Sequence, residues 1–427
     1  MCRLSNSVML IVIGVTAFNV TSTVADCWFS SLKPETGDAY WCDGDDSNLI
    51  MCPNGNIVLD GQPEMRPVMM FDPEGKILWR RNDLGRIDVT CGTDGYLIGV
   101  GYESYQGYFV VGIDNKGHTL WHQYLLKNAT AFGEGVDEEG NAYVLYQDDA
   151  QDFYIQKYDF AGDEVWLQKY SNGKIYDSTF LVTASGNIFL VGADAINQGE
   201  LVLEELDRDG QVSWKSNVGN DADIYPVFLD RDSSGNVIVG IGKNGTDSIV
   251  RLDYEGKRQW SYQAPYGIVE IGTDSAGDVL ICGDLFPEIP DQYNGFVGLL
   301  DGNGQYIWRT ENLWRSGDLW ATPTSCAIDR LGNAYVMIWH CGGQNAMGDC
   351  GDYYYDVSKY DVSGNLVWVA TDQQKPIGID NINTGEVYAA FGYNVALSPD
   401  LASPDDDATH DDDSSHSSGG GNSGCGC

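Results

Sequence analysis

The chain alternates short runs of apolar residues with polar turns built on Gly, and each run is either apolar throughout or alternates apolar with polar, as in Ser248-Ile249-Val250-Arg251-Leu252. Both patterns are those of β-strands, and the turns between them make successive runs into hairpins. Two turn types recur. In the first, Asp253-Tyr254-Glu255-Gly256-Lys257-Arg258-Gln259-Trp260 sets a spacing Asp-x-x-Gly-x-x-x-Trp that returns from Asp72, Asp114, Asp159, Asp207, Asp301 and Asp361. A degenerate copy, Pro34-Glu35-Thr36-Gly37-Asp38-Ala39-Tyr40-Trp41, keeps the Gly and the Trp. In the second, Asp232-Ser233-Ser234-Gly235-Asn236 has relatives around Gly55, Gly95, Gly140, Gly186, Gly277, Gly332 and Gly385. In each, the Asp carboxylate is expected to accept a backbone N–H, and the Gly to supply a positive φ that a Cβ would resist.

Two hairpins per repeat make a four-stranded antiparallel sheet, and a run of such sheets predicts an all-β fold, a β-propeller. Each hairpin type occurs eight times if Gly37 and Trp41 are admitted, which predicts one eight-bladed propeller over residues 26–398. The order starts with a Trp hairpin and ends with a Gly-Asn hairpin, so the N-terminal and C-terminal hairpins are expected to complete one blade together. A ring closed this way leaves no loose end. Seven blades with free ends is the alternative. Trp41, Trp79, Trp121, Trp166, Trp214, Trp260, Trp308 and Trp368 stand at the repeat position of the outer strands. A buried indole covers about 150–250 Å², so these residues are expected to be structural and to fill the seams between blades.

If every blade runs from centre to rim, both tight turns fall on one face of the disc and the variable connections on the other. Those connections are 101–107, 147–152, 284–294, 309–323 and 340–355. Insertions on one face of a rigid scaffold are where binding resides. The expected ligand-binding face carries Tyr102, Tyr105, Tyr108, Phe286, Tyr293, Trp314, Trp320, His340, Tyr353 and Tyr354. Aromatic side chains of few rotatable bonds suit recognition of protein or carbohydrate.

Charge narrows the partners. The chain carries a net charge of −39, which excludes nucleic acid and anionic membrane as partners, since both need a basic patch. The acid serves either as a surface for salty surroundings or as ligands for divalent cations. Asp43 with Asp45 and Asp230 with Asp232 offer closely spaced hard oxygens of the kind Ca²⁺ takes, so calcium is the one ion the residues themselves suggest. Asp88, Glu134 and Glu270 occupy similar heights on the inner strands and would line the central channel.

The N-terminus adds a compartment. An apolar run from Val8 to Val20 followed by Thr23-Val24-Ala25 reads as a secretory signal, residues 1–25, too short to serve as a spanning anchor. No membrane insertion is expected. Eleven cysteines in an exported chain read as disulfides before metal ligands. Cys27–Cys42 and Cys341–Cys350 are the expected pairs, with Cys52, Cys91, Cys282 and Cys326 left open. Residues 399–427 are rich in Asp, Ser and Gly, end Cys425-Gly426-Cys427 and cannot bury apolar area. Catalytic signatures are sparse: there is no Gly-x-Ser-x-Gly elbow, paired-histidine zinc motif or phosphate loop. His340 beside Cys341 is the one candidate nucleophile pair.

The Asp-x-x-Gly-x-x-x-Trp copies, with Glu35-Thr36-Gly37-Asp38-Ala39-Tyr40-Trp41, resemble the tryptophan-docking repeat of the PQQ-like propeller superfamily over about residues 27–398. That superfamily includes quinoprotein alcohol dehydrogenases and an outer-membrane assembly lipoprotein, so the resemblance implies the fold and leaves enzyme and scaffold both open. Quinoprotein dehydrogenases hold a disulfide between adjacent cysteines beside the cofactor and a calcium beside the quinone. This chain has no Cys-Cys pair and no motif from which calcium ligands carry over. The expectation is therefore a scaffold without cofactor at the cell surface or in the periplasm, binding protein or glycan. A propeller enzyme of quinoprotein type and a self-associating surface subunit are the alternatives. The Cys-Gly-Cys ending is similar to C-terminal surface-sorting tags, without their apolar helix and basic end.

Overall fold

The computed structural model describes residues 8–12, 28–32 and most of 49–397, omitting short stretches, chiefly 60–67, 171–174, 194–199, 286–293, 314–317, 345–349 and 382–386. Trp41, Asp43, Asp45, Cys27, Cys42, Phe286, Tyr293, Trp314 and the tail from 398 lie outside the described residues.

Strands and turns account for all the regular structure described, and no helix occurs among the described residues. The chain folds as successive antiparallel meanders of four strands, in which each strand pairs with the one before it. The meander from Ile224–Arg231 through Val237–Lys243 and Thr246–Leu252 to Arg258–Gln263 is representative. Two meanders, one ending at Tyr306–Thr310 and one starting at Trp320–Ile328, are joined by a single parallel pair, Asn294 with Ala321. A last sheet gathers both ends of the chain in the order Trp28–Leu32, Val8–Val12, Asn394–Leu397, Val387–Phe391, Pro376–Asn381. Val8–Val12 falls inside the segment read as a signal, and a chain cut after Ala25 would lack it. This architecture of radially repeated four-stranded sheets is that of a β-propeller.

The first strands of the meanders lie side by side. Leu49–Met51 meets Ile87–Cys91, which meets Thr130–Val136, and the series continues through Ile175–Val182, Ile224–Arg231, Gly267–Thr273 and Trp320–Ile328 to Pro376–Asn381, which meets Leu49–Met51. Apolar clusters fill the seams: Val58, Met70, Trp79, Val89 and Val111 join two neighbouring sheets, and Leu280, Val297, Trp308, Val336 and Ile338 join another pair. The second strands, such as Leu97–Glu103 and Ala142–Gln147, are buried on both faces along most of their length because neighbouring sheets cover them on both sides.

The turns opened by Asp repeat the same hydrogen bonds, whereas Cys52, Gly92 and Thr183 stand in place of the Asp before Gly55, Gly95 and Gly186. Asp253 accepts the backbone N–H of Glu255 and Lys257 at 3.0 and 2.9 Å, and Gly256 N–H donates to the Asp253 carbonyl at 2.9 Å. Asp232 does the same for Ser234 and Asn236, both at 2.9 Å. The described glycines of the Trp-bearing turns, Gly117, Gly162, Gly210, Gly256, Gly304 and Gly364, have a second duty that the spacing alone does not reveal. Gly304 has φ +76, and a Cβ there would lie 2.8 Å from the Trp260 ring. The Trp260 indole seats on that glycine in the next sheet and donates to the Gly302 carbonyl at 2.9 Å. Trp121, Trp166 and Trp214 donate in the same way to Phe160, Arg208 and Tyr254 carbonyls. Trp79 and Trp308 seat on Gly117 and Gly364, and Trp368 packs edge-on against Tyr335. Among the described residues every outer strand that carries its Trp slips register by one residue just before that Trp, which bulges Leu78, Leu120, Val165, Ser213, Gln259, Ile307 and Val367.

Three disulfides are formed. Cys52–Cys91 and Cys282–Cys326 tie one sheet to the next, whereas Cys341–Cys350 closes a hairpin within one sheet. The first two pairings were open from sequence because their partners stand 39 and 44 residues apart, on different sheets.

Candidate ligand-binding face

Arg251 fixes which face is which. Its guanidinium pairs with Asp232 in its own sheet's inner turn and donates to the carbonyls of Gly277 and Gly302, from the inner and outer turns of the next sheet, at 2.7 and 3.3 Å. Both turn types therefore share one face, and the connections between second and third strands, and from sheet to sheet, share the other. Arg251 and Asp232 are both buried, so the pair is screened from water and each depends on the other.

Two stretches read as inserted connections are instead extended strands. Leu97–Glu103 and Gly107–Ile113 continue their ladder to Tyr102 opposite Tyr108 and Glu103 opposite Gly107, leaving Ser104-Tyr105-Gln106 as a tight hairpin tip. Ala334–Gln344 and Cys350–Tyr360 likewise pair as far as Gln344 opposite Cys350. Backbone groups that would otherwise need water are satisfied by lengthening the sheet.

The first hairpin is the exposed one. Tyr105 is 100% exposed at its tip and Tyr102 50% exposed. Tyr102 meets half-buried Tyr108 edge-on with ring centroids 5.1 Å apart. On the opposite side of the hairpin, Tyr124 donates its hydroxyl to Glu103 at 2.6 Å, and this bond to a carboxylate raises the phenol's pKa. Phe109, His122 and Tyr124 stack behind it. The neighbouring connection presents Asp148, Asp149 and Asp152; Tyr154 donates to Asp148 at 3.1 Å and stacks on Tyr146. Tyr108 and Tyr154 pack on one apolar cluster, so the two connections flank one seam. Tyr124 and Tyr154 sit inside strands rather than in connections, which is why a search of connections passes over them.

The second hairpin is built differently. His340 is fully buried, not on an open face as its position suggested. Its Nδ1 lies 2.8 Å from Asp318 and its Nε2 3.0 Å from Asp356. Tyr354 stacks flat on the imidazole at 4.6 Å and donates to Asp318 at 2.7 Å. Asp318 comes from the connection between sheets, so this cluster pins that connection down. Cys341 is held in its disulfide with Cys350, so the His340–Cys341 neighbourhood offers no thiol nucleophile. Trp320 is half-buried and tilted against Trp339 at 5.8 Å; Tyr353 lies in the strand opposite Cys341. The structure thus splits the aromatic set: Tyr102, Tyr105 and Tyr108 stand in one sheet, while Trp320, His340 and Tyr354 stand in another five sheets further along the chain.

The acidic pairs have other partners. Asp232 gives one oxygen to its turn and the other to Asn236 and Arg251. Asp230 accepts from Thr273 at 3.0 Å, and burial holds its carboxyl above the usual range. Of the expected channel acids, Asp88 is exposed and Glu134 half-buried. Glu270 accepts from Ser325 Oγ and Cys326 N of the adjacent inner strand at 2.5 and 2.7 Å. Among the described residues no group of three or more His, Cys, Asp or Glu side chains is arranged to hold a metal ion. Asp284 is a different case: one of its oxygens is buried without a hydrogen-bond partner, and desolvation pushes its pKa up to about 6.

No family model matches this sequence, and no curated protein matches it. Among solved structures it is similar to BamB from Moraxella catarrhalis, at 16% identity over 83% of this chain and 94% of that one, with a TM-score of 0.47. It is also similar to virginiamycin B lyase from Staphylococcus aureus, at 14% identity over 73% and 92% with a TM-score of 0.43. A eukaryotic initiation factor matches at 11% identity over 80% and 91%, with a TM-score of 0.46.

Proposed function

We propose that this chain is an exported eight-bladed propeller that serves as a recognition scaffold, without catalysis of its own, for a protein or glycan at the envelope surface. The observation that carries the reading is the hairpin tip at Tyr105, fully exposed and flanked by half-exposed Tyr102. A large aromatic side chain held out by a short, hydrogen-bonded ladder has little entropy left to lose on binding. The contacts of first strand with first strand, up to those between Pro376–Asn381 and Leu49–Met51, support the count of eight blades. Removing residues 1–25 takes away Val8–Val12, the strand that lies between Trp28–Leu32 and Asn394–Leu397 in the last sheet. Three disulfides agree with an oxidising compartment, and the apolar leader agrees with export. Calcium, if it binds, is assigned to Asp43 and Asp45, since Asp232 is already occupied.

The test is capture from an envelope extract and from a panel of glycans by wild type and by Tyr102→Ser/Tyr105→Ser. A partner retained by wild type and lost by the double variant supports the reading. Equal retention by both removes this hairpin as the binding site.

A further inference from the structure

The outer strands of a propeller are sheet edges, and six of the seven that carry the described Trp positions have a Lys, Arg or His side chain. They are Arg80 and Arg81 in Ile77–Arg81, His122 in Thr119–Tyr124, Lys169 in Glu164–Tyr170, Lys215 in Val212–Asn220, Arg258 in Arg258–Gln263 and Arg309 in Tyr306–Thr310. Several reach across a seam or along the edge: Arg81 to the Gly117 carbonyl, Arg258 to the Val218 carbonyl, Lys169 to Asp152. Charges of this kind keep an edge from pairing with another chain.

Leu366–Asp372 is the exception. Its sequence, Leu-Val-Trp-Val-Ala-Thr-Asp, has no Lys, Arg, His or Pro. It is the last strand of its sheet and, among the described residues, pairs only with Cys350–Tyr360. Leu366, Val367 and Val369 are 55%, 52% and 37% exposed. The bulge at Val367 leaves the regular ladder from Trp368 to Asp372 in register for a further strand. Asp361, whose carboxyl is held low by its hydrogen bonds to Asn365 and Ser363, stands just before the strand, and Asp372 closes it.

We propose that the Leu366–Asp372 edge takes up an extended segment of a basic partner protein by strand addition. Main-chain hydrogen bonds would supply affinity, apolar residues of the incoming strand would cover Val367 and Val369, and its Lys or Arg residues would meet the acid at Asp361. A second copy of this chain is the poorer occupant. One strand pair buries far less than the roughly 1,200 Å² of a stable interface, and two chains of net charge −39 repel.

The probe is a synthetic peptide alternating Lys and Val, with a Glu/Val peptide of equal length as its counterpart. Both are tested on the full chain by fluorescence anisotropy and by amide hydrogen exchange. The expected result is saturable binding of the Lys/Val peptide with new protection confined to 366–372. Binding should weaken roughly tenfold in Val369→Lys and persist in Val165→Lys on a guarded edge. Thr371→Lys, two positions further along the same strand, gives a second guard should Val369→Lys melt early. Protection spread over the whole acidic surface, equal binding by the Glu/Val peptide, or binding indifferent to both guards overturns the proposal. So does a concentration-dependent dimer in sedimentation that Val369→Lys abolishes, which would assign the edge to a second copy.

Discussion

The two faces of the disc are made by the same strands, yet their side chains answer to different demands. On the turn face, polar groups have repeated, predetermined partners. The turn carboxylates hold backbone N–H groups, the indoles seat on glycines of the next sheet, and Arg251 satisfies two carbonyls and a buried acid at once. On the connection face the described hairpins differ from one another. One hairpin, at Tyr105, ends in an exposed ring, while another, at His340 and Cys350, is closed by a disulfide and a buried Asp-His-Asp cluster. A fold that spends its regularity on one face leaves the other free to vary.

That contrast can be broken most severely at Arg251. Arg251→Met strands Asp232 in a buried site and is expected to cost about 3–5 kcal/mol in denaturant unfolding. Adding Asp232→Asn should recover part of that loss, since the orphaned charge goes with it. Next comes the indole seat. Gly304→Ala places a Cβ against Trp260 on a backbone of positive φ, at an expected cost of about 2–3 kcal/mol by the same measurement.

Asp284 sharpens the comparison from the other side, as a carboxyl the fold leaves unpartnered. Its folded pKa, about 6, lies above the ordinary 3.8. The folded state therefore holds a proton that the unfolded state has released between those values. Stability from this group is fully present below about pH 4 and is lost as pH rises through about 6. Asp284→Asn should flatten that slope and stabilise the protein at neutral pH by about 1–2 kcal/mol, after discounting for its partial exposure to solvent. Thermal midpoints of both proteins across pH 4 to about 8 read it out; parallel curves would show that burial does not control this carboxyl. The smallest effect on stability is expected at Tyr105. Tyr105→Ser should change unfolding by less than about 0.5 kcal/mol while reducing capture of the surface partner.

The turn chemistry was legible in the sequence because it is local: Asp, Gly and Trp act at fixed separations within one hairpin or its neighbour. Asp253 capping Glu255 and Lys257 needs no knowledge beyond four residues. The candidate site was legible only in part. Tyr102 and Tyr105 are displayed, but His340 and Tyr354, equally polar and aromatic in sequence, are spent on holding Asp318 in place. Asp318 stands 22 residues from His340, and no spacing rule links them. Likewise Asp232 resembled a cation ligand until Arg251, 19 residues on, occupied it.

What the sequence determined by itself was the period, the strand-and-turn alternation, the two hairpin types and the acidity of the surface, because each rests on contacts between residues close in the chain or on composition alone. The tertiary structure decided which cysteines meet, which carboxylates are paired or stranded, which aromatic rings reach water and which outer edge is left unguarded. Those outcomes depend on what the neighbouring sheet brings to the seam, some forty residues away in Cys52–Cys91 and Cys282–Cys326, and burial changes the cost of every charge and ring that lies there.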